Sequence, residues 1–370
     1  MEAGSETTRN GLEGVVVAET RLSRVDGERG RLVVCGRDIE ALVREVRFEG
    51  VCSLLWSGEL AGQRALEIEL GRARAEAWRR LPELGDALEK ADGMEALRAA
   101  LAHLPTSDPA DDAASEAARL TGACAVFLAA WARGRLQGRP PIAPDPARPH
   151  AEDLLCMLGF EAPEPARVAA LDAYMTTVAE HGMNASTFAA RVVASTGSDS
   201  VSAVVAAVGA LKGPRHGGVP GPVLEMFDAI GEARHARSWL EAELDAGRRI
   251  MGMGHRVYRV RDPRAAVFEA AVGRLAVAGI ASDRLGFARC VEREAVAALA
   301  ARYPERRLEA NVEFYTAVLL DAAGLHRAAF TPLFACARVA GWLAHVEEQR
   351  RTGRLIRPKA RYVGPLPEAA

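Results

Sequence analysis

Apolar residues recur along most of this chain at helical spacing. Ile39, Leu42, Val43 and Val46 stand at i, i+3, i+4 and i+7, which places them on one face of a helix. Residues 62–79, 84–102 and 110–133 are rich in Ala, Leu, Glu and Arg, all strong helix formers. The same reasoning predicts helices over 151–159, 164–180, 184–195, 199–212, 219–231, 235–248, 262–278, 290–302, 311–322 and 328–349. A β signal is clear only in residues 11–34. There Val15-Val16-Val17 and Arg31-Leu32-Val33-Val34 flank Asp26-Gly27-Glu28-Arg29-Gly30, a turn-forming stretch. Five prolines and two glycines within 134–149 preclude a regular helix and predict a surface loop. Residues 351–370 read as a basic, proline-containing tail. The expected class is all-α, with a short N-terminal β-hairpin and no internal repeat.

Composition narrows the function. A length of 370 residues suggests two domains or one large one, and 49% hydrophobic residues suffice for a sizeable core. A net charge of −2 gives no global field favouring nucleic acid or an anionic membrane. The Met1-Glu2-Ala3-Gly4-Ser5-Glu6 start lacks the basic and apolar regions of a secretory signal. No apolar run is expected to reach the roughly 20 residues that span a bilayer. Cys35, Cys52, Cys124, Cys156, Cys290 and Cys336 form no CxxC pair. They read as buried thiols in a reducing cytoplasm, and a metal site is not expected.

The candidate chemistry lies in three glycine-bordered histidine segments, out of eight histidines in all. They are Glu180-His181-Gly182-Met183-Asn184-Ala185-Ser186-Thr187, Gly213-Pro214-Arg215-His216-Gly217-Gly218, and Met251-Gly252-Met253-Gly254-His255-Arg256-Val257-Tyr258-Arg259. Asp262-Pro263-Arg264 follows the third. His216 precedes a helix start around Val219-Pro220, whose positive end favours neutral imidazole, a donor suited to a carbonyl becoming an enolate. Arg264 offers a guanidinium for a carboxylate. Each feature also has an ordinary reading taken alone: a cap, a surface histidine, or, for Arg338 and Arg357, a solvated charge. Spacing does not by itself bring them together. Gly252-Met253-Gly254 lacks the strand-to-helix context of a dinucleotide site.

Taken together these segments resemble the citrate synthase family. Residues 181–196 are similar to its first histidine segment, 209–218 to its second, and 252–258 with Asp262-Pro263-Arg264 to its third. Asn311-Val312-Glu313-Phe314-Tyr315 resembles the acid-bearing segment, and Arg357-Pro358-Lys359 the C-terminal signature. Gly11-Leu12-Glu13-Gly14-Val15 and Ile39-Glu40 also fit, so the likeness runs in order along nearly the whole chain. It implies a two-domain helical fold, with a large domain of residues 1–217 and 322–370 and a small one of 218–321. It implies condensation of acetyl-CoA with oxaloacetate, then hydrolysis of citryl-CoA. By matched position His216 polarises the thioester, Glu313 removes the methyl proton, and His255 serves the ketone. His181, Arg264 and Arg338 bind oxaloacetate. Arg357 reaches the neighbouring subunit's site in a homodimer. Arg259 meets a CoA phosphate, and Met251, Gly252, Met253 and Gly254 present backbone to adenine. Asn184 and Ser186 support the histidines. No permanent cofactor is implied; the coenzyme A thioester is a co-substrate.

Two positions depart from the family pattern. Most members carry aspartate where this chain has Glu313, one methylene longer, or about 1.5 Å of reach. A misplacement of about 1 Å can cost on the order of 100-fold in rate. Three readings follow: Glu313 serves as base on a set-back backbone, the site prefers another acyl-CoA or runs slowly, or synthase activity is lost. The second departure is Gly182-Met183, where an acidic-apolar pair is common. The compact length favours the homodimer without NADH control. Propionyl-CoA, giving 2-methylcitrate, and a non-catalytic CoA-binding relative of the same fold are the alternatives.

Overall fold

The computed structural model describes residues 11–12, 14–106, 112–216, 220–255, 257–281 and 283–365. Glu13, residues 107–111, Gly217, Gly218, Val219, Arg256 and Ser282, and the first ten and last five residues, lie outside that set. Three short strands form an antiparallel sheet in chain order: β1 (Ser23–Asp26), β2 (Arg31–Val34) and β3 (Arg37–Asp38). Ser23 pairs with Val34 and Asp26 with Arg31. The expected first strand at Val15–Val17 is therefore displaced. That apolar triplet belongs to no strand, with Val16 87% exposed, and the more polar Ser23–Asp26 takes the partner strand instead.

Helices follow: α1 (Ile39–Glu45), α2 (Phe48–Ser57), α3 (Gln63–Arg79), α4 (Gly93–Ala102) and α5 (Ala113–Trp131). α2 was not anticipated. Phe48, Val51, Cys52, Leu54 and Leu55 are buried on several sides, so no polar stripe marks its period. The helix expected over 84–102 begins only at Gly93; Leu81–Leu84 and Ala87–Glu89 form single 3₁₀ turns interrupted at Gly85. α5 ends in a π turn, Ala132–Leu136, and the proline-rich loop follows. Buried Arg74 ties that loop down, donating to the Arg148 carbonyl (2.8 Å) and to Asp153 (2.6 Å).

The chain continues through α6 (His150–Met157), α7 (Pro165–Val178), α8 (Ala185–Ser195), α9 (Ser200–Lys212), α10 (Pro220–Ile230), α11 (Ala236–Asp245), α12 (Pro263–Val277), α13 (Arg284–Arg302), α14 (Val312–Ala322) and α15 (Phe330–Thr352). α13 starts six residues before its expected position. Two segments, Ala113–Leu136 and Arg327–Thr352, are after all long and apolar enough to cross a bilayer by length and composition. Within their most apolar stretches 72% and 89% of the window is buried inside the fold, so they serve as its central helices. α15 packs on α5, α7, α8 and α9, while α12 packs on both α7 and α14.

Candidate functional site

Three helix starts deliver the site, and each is fixed by an amide or carboxylate cap. Asn184 Oδ1 accepts from the amides of Ser186 and Thr187 and begins α8 just after His181. Asp262 begins α12 after His255, and Asn311 begins α14 just before Glu313, accepting the Glu313 amide at 3.0 Å. Such caps satisfy orphan N–H groups and set where the chain turns from loop to helix.

The third histidine loop is fastened to the start of α14. Gly254 donates to the Glu309 carbonyl (2.8 Å), Gly252 accepts from the Asn311 amide (2.9 Å), and Asn311 Nδ2 donates to the Gly254 carbonyl (2.8 Å). These backbone groups of 252–254 are thus engaged within the chain, where they fasten the loop that carries His255 to the helix start that carries Glu313. Met251 and Met253 are half-buried against the core. Arg259 is exposed, its amide donating to the Gly27 carbonyl at 2.9 Å.

Hydrogen bonds set the tautomers. His255 Nδ1 accepts from the amides of Val257 (3.0 Å) and Tyr258 (3.1 Å), so the ring proton sits on Nε2. His216 Nε2 lies 2.9 Å from Ser186 Oγ and accepts from the Ser186 amide at 3.2 Å, which leaves the proton on Nδ1. Ser186 Oγ in turn accepts from Trp342 Nε1 and donates toward Asn184. Burial, then Arg338, holds His216 down to about 4. Burial, then Arg264, holds His255 down to about 4. Burial, then Arg264 and Arg338, holds His181 well below the ordinary imidazole range. All three imidazoles are neutral near pH 7. His181 and His255 stand edge-on with ring centroids 5.9 Å apart, and the Tyr258 hydroxyl meets His181 Nε2 at 3.1 Å.

Two arginines face these rings, each only 2% exposed. Arg264 is held bidentately by Asp262 through Nε (3.0 Å) and Nη2 (2.7 Å). Arg338 donates from Nε to the Val178 carbonyl at 2.5 Å and lies 4.7 Å from the Phe334 ring, but its buried Nη2 has no partner. Burial pushes Arg338 down to about 10, with Glu180 acting against that shift. A buried guanidinium with an unused donor is suited to an anion. Glu313 is half-buried; burial raises it to about 7, against the pull of Arg264 and with a small push from Asp262.

Arg264 therefore acts on His181, His255 and Glu313, and Arg338 on His181 and His216, which groups the expected residues around one cluster of charge. Arg357 is not among them. It is exposed on the tail, next to Ile356, whose amide donates to Ser195 Oγ. A cavity of about 1120 Å³ between α1, α7 and α12 is lined by none of these groups, and its walls are aliphatic residues with mixed Arg and Glu. The reactive side chains, not that cavity, mark the candidate site. Sequence reasoning assigned no role to Tyr258, Glu180, Arg191, Trp342 or His345. For Glu180 and Tyr258 the available signal was adjacency to a site histidine; for Trp342 and His345 it was helical spacing from Arg338.

The chain is similar to known proteins over nearly its whole length. The family described as "Citrate synthase, C-terminal domain" matches residues 11–359. A citrate synthase of Haloferax volcanii is 38% identical, over 96% of each chain. A 2-methylcitrate synthase of Mycobacterium tuberculosis is 37% identical, over 96% of this chain and 90% of its own. The citrate synthase of Thermoplasma acidophilum, solved as a ternary complex with carboxymethyl coenzyme A and oxaloacetate, superposes with a TM-score of 0.84 at 27% identity, covering 97% of both chains. With its family match spanning nearly every residue and its neutral histidines gathered about two buried arginines, the chain belongs to the citrate synthase family.

Proposed function

We propose that this protein condenses acetyl-CoA with oxaloacetate and hydrolyses the resulting citryl-CoA to citrate and CoA. The observation that carries the reading is Glu313: a carboxylate raised to about 7 by burial, in the field of the same Arg264 that acts on two neutral imidazoles. A base poised near the working pH suits abstraction of a weakly acidic thioester α-proton. That abstraction needs a donor at the carbonyl where negative charge develops. His216 supplies it through Nδ1–H. The enolate carbon then attacks the ketone of oxaloacetate, whose oxygen takes a hydrogen bond and finally a proton from His255 Nε2–H. His181, Arg264 and Arg338 hold the two carboxylates. Water completes the reaction by displacing CoA from citryl-CoA.

The roles of Arg259 at a CoA phosphate and of 251–254 at adenine belong to the same proposal. So do a large domain of 1–217 and 322–370, a small domain of 218–321, closure of the cleft between them to exclude water, a homodimer in which Arg357 serves the partner's site, and a cytoplasmic location. Propionyl-CoA is the second reading. A relative named 2-methylcitrate synthase is 37% identical, and one methylene in a pocket is worth only about 1–3 kcal/mol. The test is thiol release with oxaloacetate and each acyl-CoA in turn. A higher kcat/KM with acetyl-CoA supports the first reading, a higher value with propionyl-CoA the second. Release with neither, alongside CoA binding, points to a non-catalytic CoA-binding protein.

A further inference from the structure

Behind His181 lies a buried chain of charge that the proposed reaction does not use. Glu180 is 1% exposed, and its Oε1 faces three donors: Ser23 Oγ (2.7 Å), the Gly182 amide (2.6 Å) and His345 Nε2 (3.0 Å). His345, fully buried, has its Nδ1 3.0 Å from Arg191 Nη1. A guanidinium can only donate, so Nδ1 accepts and the ring proton lies on Nε2, aimed at Glu180. Arg191 is buried too, held by Glu348 (2.7 Å) and Gln349 (3.1 Å). Burial by itself would raise Glu180, but His345, Arg338 and Ser23 hold its carboxyl below the ordinary range.

This chain ends on the segment that carries His181. The Glu180 carboxylate grips the amide of Gly182, so it brackets the histidine from both sides. Gly341 permits the approach, because a Cβ there would overlap the Ala179 carbonyl and Glu180 Oε2. Arg338, Gly341 and His345 stand at i, i+3 and i+7 on α15. One helix face thus holds both the guanidinium and the support of the imidazole.

Resting on the proposed function, we propose that Glu180, locked by the His345–Arg191 pair, is a positioning residue of the oxaloacetate site: it fixes the His181 turn against α15 at the spacing a dicarboxylate needs. Glu180 touches no substrate in this proposal; it acts through His181 and Arg338.

The test is oxaloacetate affinity by calorimetric titration, with KM for oxaloacetate and for the acyl-CoA beside it. Glu180→Ala is expected to weaken oxaloacetate about tenfold, on the scale of lost hydrogen bonds to a charged group, while KM for the acyl-CoA stays within about twofold. Glu180→Gln keeps an acceptor oxygen for the three donors and should recover most of that loss. Where Glu180→Ala fails to fold, Ser23→Ala, which removes one donor at the half-buried edge, is expected to weaken oxaloacetate about threefold. Unchanged oxaloacetate affinity, equal effects on both substrates, or a Gln variant as weak as the Ala variant would overturn the proposal. If the parent protein itself does not bind oxaloacetate, it is the proposed function that fails, and the parent titration shows this first.

Discussion

Glu313 stands in the first turn of α14 with its amide held by Asn311, so its backbone is fixed at the helix start. Burial raises it to about 7, and a base must be ionised to act. kcat/KM should therefore fall as pH drops below about 7, roughly tenfold per unit, and level off above. Glu313→Gln should lower kcat by about 10² to 10⁴ while oxaloacetate binding stays within a few-fold. The same residue leaves a mark on stability. Its folded value lies above its ordinary 4.5, so the folded state is favoured by protonation. That contribution is full below about 4.5 and is lost as pH rises through about 7. The Gln variant should accordingly melt at a higher temperature than the parent at pH 8, and the difference should close toward pH 4. Thermal melts across that range check the sign. A flat difference would mean that Glu313 is not the desolvated acid, whatever the activity shows.

At the scale of elements, the N-terminal hairpin does more than decorate a helical protein. A Cβ at Gly27 would overlap the Val257 carbonyl, and the Gly27 carbonyl receives the Arg259 amide. The β1–β2 turn therefore braces the loop whose amides fix His255. Gly27→Ala should push that loop back. A shift of about 1 Å at the third histidine is expected to lower kcat/KM by about 10- to 100-fold with little change in helix content, measured by steady-state kinetics beside circular dichroism. The turn glycines were plain in the sequence, but what they press against was not. Helices with one wet face were legible because their period survives: Ile39 to Val46 is an example. α2 was not, because burial of Phe48, Val51, Cys52 and Leu55 on several sides erases the stripe. Val15–Val17 looked more strand-like than Ser23–Asp26, yet pairing went to the segment that the turn places opposite Val34. The three histidine segments were readable because each is local. The Glu180–His345–Arg191 chain is linked by contacts 165 and 154 positions apart in sequence, and no single window contains it.

For the whole molecule, Arg357 poses the remaining geometric question. It lies exposed on the tail. In the proposed homodimer it completes the partner's site, as a closed twofold arrangement allows. Two separately inactive variants then make a sharp test. Arg357→Ala lacks only the residue lent to the neighbour, and Glu313→Gln lacks only the base kept at home. In a mixed dimer, one site has its own Glu313 and receives Arg357 from the Gln variant's tail, while the other site lacks both. After unfolding and refolding an equal mixture, about half the dimers are mixed and one site in each is whole, so roughly a quarter of parental activity should return. Refolding each variant alone supplies the baseline. If Arg357 served its own chain, every site in the mixture would miss one group, and no activity above that baseline would appear.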